Sequence, residues 1–98
     1  MAVYTLGIWT VKRGREEDFV RAWQDLADRT KADFPDEVAT LLRDREQPHR
    51  FISFGPWDSL EQIAQWRSSV TFKEGVGKLR ELLDEFVPHE MDLVAAIE

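Results

Sequence analysis

Apolar positions along this chain follow two periods, and the switches between them mark the elements. From Val3 to Val11 the residues are β-branched and aromatic at both parities, with Tyr4, Leu6 and Ile8 on one face and Val3, Trp9 and Val11 on the other. A strand with one wet face alternates more cleanly, so this first strand is expected to be covered on both sides. Glu16, Glu17 and Asp18 then follow Gly14, where the positive end of a helix dipole favours carboxylates. Phe19, Trp23, Leu26 and Thr30 continue at helical spacing, and Pro35 is expected to end that helix at its predecessor.

Glu37 to Arg45, with Val38-Ala39-Thr40-Leu41-Leu42 inside it, reads as a second strand, and Glu46-Gln47-Pro48 as the turn into a third over His49 to Gly55. The third strand is expected to stop at Gly55-Pro56 and present Trp57 at its exit. Asp58 with Glu61 offers a capping box for a helix bearing Leu60, Ile63, Ala64 and Trp66, and Thr71 with Glu74 offers another. Phe72, Val76, Leu79, Leu83 and Phe86 then form a long helical stripe, which Pro88 is expected to terminate before a fourth strand over Glu90 to Ile97. Strand, helix, strand, strand, helix pair, strand is the order of an α+β, ferredoxin-like split βαβ fold: a four-stranded antiparallel sheet with helices on one face. The other face would carry Tyr4, Leu6, Ile8, Ile52 and Phe54. An apolar sheet face of that size calls for a cover, and a second copy related by a two-fold axis is the simplest one, so a homodimer through the sheet face is expected.

Length changes this picture little: 98 residues make one domain spanning 1–98, with a core small enough that a partner subunit would help. The absence of cysteine excludes disulfides and thiolate metal sites. A net charge of −6 without a basic face argues against nucleic acid and anionic membrane as partners. No leader-like or membrane-length apolar run occurs, and a cytoplasmic location is expected. Four tryptophans weigh more, since each large ring shapes a core, an interface or a pocket.

Chemistry is sparse. No Gly-rich loop joins a strand to a helix, so nucleotide cofactors have no seat, and His49 and His89 form no ligand set for a metal. No cofactor is expected, and no carboxylate is identifiable as a pocket base. Trp57 reads either as a pocket wall or as a plug at the strand exit. Ser53 shares its parity with Phe51 and Trp57, facing the helices, either as a satisfied backbone partner or as a substrate contact. Arg80 lies one residue off the helical stripe and either reaches the pocket or pairs with Asp84 at i+4. Trp66, Trp9, Trp23, Phe51 and Phe72 are the candidate rings for stacking on a flat aromatic ligand.

In Val11 to Phe19, in Trp57-Asp58-Ser59, in Trp66 and in Phe72-Lys73-Glu74, the chain resembles the antibiotic biosynthesis monooxygenase family of dimeric α+β barrel proteins. One branch of that family oxidises polycyclic phenols or anthrones to quinones without metal or flavin. The resemblance to it implies catalytic roles for Trp57 and Arg80, with Ser53 at the position of an Asn, and Leu42 and Ile63 at positions of pocket tyrosines. A second branch degrades haem; Trp66 and Phe72-Lys73 fit it, but Val76 stands at its axial His and Gly7 at its Asn, and Val cannot ligate iron. The resemblance therefore implies a cofactor-independent monooxygenase acting on a small planar aromatic. The alternative is a non-catalytic dimeric module that binds such a ligand or has a stress-associated role.

Overall fold

The computed structural model describes residues 2–98. Its elements run β1 (Val3–Val11), α1 (Glu16–Asp33), β2 (Thr40–Arg43), β3 (Arg50–Trp57), α2 (Leu60–Ser68), α3 (Val70–Arg80) and β4 (Leu83–Asp92). The strands form one antiparallel sheet in the order β2-β3-β1-β4, as the α+β reading expects. Gly14, the single glycine at positive φ among the described residues (86°), makes the bend between β1 and α1.

Alternation sorts the sheet into two faces. Thr5, Gly7, Trp9 and Val11 of β1 look toward the helices in register with Gly55, Ser53 and Phe51 of β3. Trp9, Val11, Phe19, Leu26, Phe51, Val76, Leu79, Leu82 and Leu83 form the buried cluster between sheet, α1 and α3. Gly75 is where the two helices touch: a Cβ there would come within 3.1 Å of Leu26 Cγ. The opposite face carries Tyr4, Leu6 and Ile8, paired with Pro56, Phe54 and Ile52 on one side and with Met91, His89 and Val87 on the other.

Several boundaries differ from the sequence reading, each for a physical reason. β3 does not stop at Gly55-Pro56 but runs to Trp57, because β2 begins only at Thr40, opposite Phe54, and leaves β3 an open edge beyond it where proline removes no ladder bond. α3 ends at Arg80, not at Pro88; Leu83 and Phe86 belong to β4, which covers Leu83–Asp92 rather than Glu90–Ile97. Pro88 is tolerated within β4 because that strand is the sheet's outer edge. β2 is shorter than Glu37–Arg45, since Glu37 to Ala39 leave the ladder to cross over Gly55. α2 is capped by Ser59, whose hydroxyl accepts from Gln62 N at 3.1 Å, while Gln62 Oε1 accepts from Asp58 N. α3 is capped by Ser69 accepting from Phe72 N, and Thr71 instead donates to Asp33 of α1.

Candidate functional site

Between the sheet and the helices lies a cavity of about 390 Å³, of the size that holds a small organic ligand. Its floor is the helix-facing row of β1, β3 and β4, including Thr5, Gly7, Trp9, Ser53, Trp57 and Phe86. Trp23, Thr30 and Lys31 of α1, Trp66 and Arg67 of α2, and Phe72 of α3 make the walls. Alternation along the strands puts Ser53 and Trp57 here, as their parity anticipates.

The aromatic rings are held, not loose. Trp57 and Trp66 lie with centroids 5.0 Å apart, tilted by 33°, and Phe34 and Phe72 meet them edge-on at 5.4 and 4.6 Å. Trp9 stacks on Phe86 at 3.9 Å. Three of the four indole N–H groups are spent on a hydroxyl of another element: Trp9 Nε1 donates to Ser53 Oγ at 2.8 Å, Trp57 Nε1 to Thr5 Oγ1 at 3.1 Å, and Trp66 Nε1 to Thr30 Oγ1 at 3.0 Å. Those bonds occupy a lone pair of each oxygen and leave its O–H to donate, and a hydroxyl that already accepts a bond donates more strongly. Three polarised hydroxyls thus stand among the aromatic walls of the chamber.

Other candidates lie elsewhere. Phe51 is buried in the core against Phe19 and under the Arg43 guanidinium and does not line this cavity. Arg80, the last residue of α3, is exposed and absent from the cavity lining, and no ion pair joins it to Asp84 among the described residues. The helical phase explains this, because Leu79 is the residue fully buried at that turn and its neighbour points away. The cations at the cavity are Arg67, bonded to Glu90 Oε1 at 2.7 Å, and Lys31, whose ammonium donates to the Glu37 carbonyl at 2.9 Å. Leu42 sits on the outer sheet face, 53% exposed, far from a pocket role; Ile63 is buried. The four remaining candidate rings, Trp9, Trp23, Trp66 and Phe72, do line the chamber.

Glu37 is the group that sequence reasoning missed. It lines the cavity, and burial at the rim, reinforced by the nearby Asp58 carboxylate and opposed by Lys31, raises its pKa from the ordinary 4.5 to about 7. A carboxyl group raised in this way binds its proton in the folded state while the unfolded chain has already released it. Its contribution to stability is therefore complete below about pH 4.5 and is lost as pH rises through about 7. The full shift would correspond to about 3 kcal/mol, and solvent screening of a half-exposed group reduces this to about 1–2 kcal/mol. Glu37→Gln is accordingly expected to match the parent in urea unfolding near pH 4.5 and to exceed it by about 1–2 kcal/mol near pH 8. Equal stability of the two proteins at both pH values would contradict that environment.

Comparison with known proteins agrees with this architecture. The structure of SnoaB, a cofactor-independent oxygenase from Streptomyces nogalater, is similar at a TM-score of 0.86, with 20% identity over 98% of this chain and 96% of that one. A conserved protein from Methanosarcina mazei Go1 is similar at 0.80, with 21% identity over 92% and 90% of the two chains. At these identities the likeness shows the fold. A search of the curated proteins finds no match. The sequence profile of antibiotic biosynthesis monooxygenases matches residues 3–78, most of β1 through α3, and the chain belongs to that family.

Proposed function

We propose that the protein is a homodimeric, cofactor-independent monooxygenase acting on a small planar aromatic of the phenol, anthrone or quinone class. The observation that carries this reading is the flat-walled cavity, in which fixed indole rings offer stacking surfaces and three hydroxyls offer polar contacts. Trp57 and Trp66 would sandwich or flank the ring system, with Trp9, Trp23 and Phe72 completing the walls. Ser53, polarised by Trp9, would hold a substrate oxygen. Arg67, in place of Arg80, stands where negative charge on a bound anion would be stabilised.

In the reaction, a ring CH₂ flanked by aryl groups and activated by a carbonyl loses a proton, and the resulting carbanion combines with O₂. The hydroperoxide then loses water to give a carbonyl. One oxygen atom enters the product and the other leaves as water, so the four electrons lost by carbon are the four gained by O₂. The apolar sheet face, with Leu6 and Phe54 at its middle, would close against a second copy.

Oxygen uptake with anthrone, corrected for the spontaneous reaction, tests the reading. One O₂ consumed per anthrone is expected. Trp57→Phe keeps a ring but loses the bond to Thr5, and is expected to weaken quenching-detected anthraquinone binding by about 3- to 10-fold. A second reading, a binding module without turnover, is favoured by the exposure of Arg80 and by Ser53 in place of an amide. Tight anthraquinone binding with no oxygen uptake would decide for it.

A further inference from the structure

Resting on the oxygenase reading, we propose that Glu37 is the general base of this chamber. Its carboxylate takes the proton from the acidic ring carbon or phenolic hydroxyl of the bound aromatic and leaves the electron pair on the substrate. The neutral carboxyl then returns that proton to the peroxide formed with O₂, so the residue ends the cycle as it began.

Backbone geometry brings Glu37 here. After Pro35 the chain does not enter β2 at once; Glu37, Val38 and Ala39 pass over the helix-facing side of β3 at Gly55. A Cβ on Gly55 would collide with the Val38 carbonyl and stand 3.0 Å from Glu37 Oε1, so only glycine lets this segment lie so close. The crossing places Glu37 in the lining of the cavity that also contains Trp57, Trp66 and Ser53.

Elimination points the same way. Of the other charged groups in the lining, Arg67 is bonded to Glu90 and Asp28 accepts from the Gln24 amide. Lys31 spends its ammonium on the Glu37 carbonyl, not on the carboxylate. Among the described residues, the Glu37 carboxylate is in no ion pair and accepts no side-chain or backbone N–H. It is the cavity carboxylate whose acceptor oxygens remain uncommitted. The groups that set its titration are Asp58 from the β3–α2 junction and Lys31 from α1. Burial, reinforced by Asp58 and opposed by Lys31, holds its pKa at about 7, where about half of the base is ionised at neutral pH and the ionised form is still strong enough to accept a proton.

The test compares parent, Glu37→Gln and Glu37→Asp in anthrone-dependent oxygen uptake from about pH 5 to 9, with quenching by anthraquinone as a separate measure of binding. The parent's kcat/KM is expected to rise and level off above about pH 7. Glu37→Gln is expected to lose about 100-fold or more at neutral pH and to show no plateau, while binding anthraquinone within about 3-fold of the parent. Glu37→Asp is expected to keep the plateau at a lower height. Unchanged uptake by Glu37→Gln overturns the base and leaves the oxygenase reading standing. Joint loss of uptake and binding also overturns it, showing a role in holding the pocket. A parent that binds anthraquinone but consumes no oxygen overturns the oxygenase reading and the base with it.

Discussion

Phe54→Lys is expected to split the proposed dimer into single chains. Phe54 pairs with Leu6 in the middle of the sheet face turned away from the helices, flanked by Tyr4, Ile8, Ile52 and Val87. Contiguous apolar faces larger than a few hundred Å² are rare on monomers, and one of about 800 Å² per partner is what a stable pair buries. Micromolar association needs about 8 kcal/mol, within reach of several side chains at about 1.5–3 kcal/mol each, even after the loss of rigid-body freedom. A lysine at the centre would be buried twice across the two-fold axis, beside its own symmetry mate. Stranding such charges costs several kcal/mol per ion, which exceeds what the remaining contacts return. Light scattering should give twice the chain mass for the parent and the chain mass for the variant, at micromolar concentration. A parent already running as one chain would remove the dimer from the proposal.

How far the sequence discloses this protein depends on whether a feature is local. β1 is bounded in the structure as its composition indicates, and α1 begins with its three acidic residues and ends at Asp33, before Phe34-Pro35. Pro56 and Pro88 mislead because a proline signals a stop only in a strand with neighbours on both sides, and neighbours are a property of the sheet. Leu83 and Phe86 mislead for another reason: they keep the helical spacing of Phe72, Val76 and Leu79 across a turn, and spacing alone cannot see the turn at Glu81-Leu82. Serines replaced the anticipated Asp58 and Thr71 caps one or two residues away, the usual uncertainty of helix ends.

The site divides along the same line. Strand parity is local, so Ser53 and Trp57 could be placed facing the helices. Glu37 could not, because its place depends on β2 starting late, at Thr40, and on Gly55 lying in another strand beneath it. The pairings of Trp9 with Ser53, Trp57 with Thr5 and Trp66 with Thr30 span 44, 52 and 36 residues. What those pairs achieve is fixed orientation: a ring tied at its N–H cannot turn to suit each ligand, so the cavity favours ligands that suit it. Against this rigidity stands Glu37, a carboxyl whose burial lowers stability at neutral pH, as is common where function needs a group in a poor environment.

Gly7→Val is expected to damage fold and pocket together. Gly7 lies in the middle of β1, in register with Ser53 and Pro88, and it lines the cavity floor. A Cβ at Gly7 would stand 2.9 Å from Trp9 Nε1, 3.0 Å from Ser53 Oγ and 3.1 Å from Phe86 Cε1. Trp9 has no room to withdraw, being stacked on Phe86 and set against Phe19 at 5.4 Å, with 4% of its surface exposed. The valine must therefore part Trp9 from Ser53 or push the stacked pair aside. Overpacking contributes about 1–3 kcal/mol and a broken buried hydrogen bond a further 1–3, while the better strand propensity of valine returns about 1. A net loss of about 1–5 kcal/mol in urea unfolding follows, together with at least a 10-fold loss of anthraquinone binding as the methyl groups occupy the floor. Gly77→Ala is the matched contrast, since a Cβ there meets nothing within 4 Å, and helix propensity should stabilise it by up to about 1 kcal/mol. If Gly7→Val unfolds and binds like the parent, the close packing of Trp9, Ser53 and Phe86 around that backbone is not what shapes the chamber.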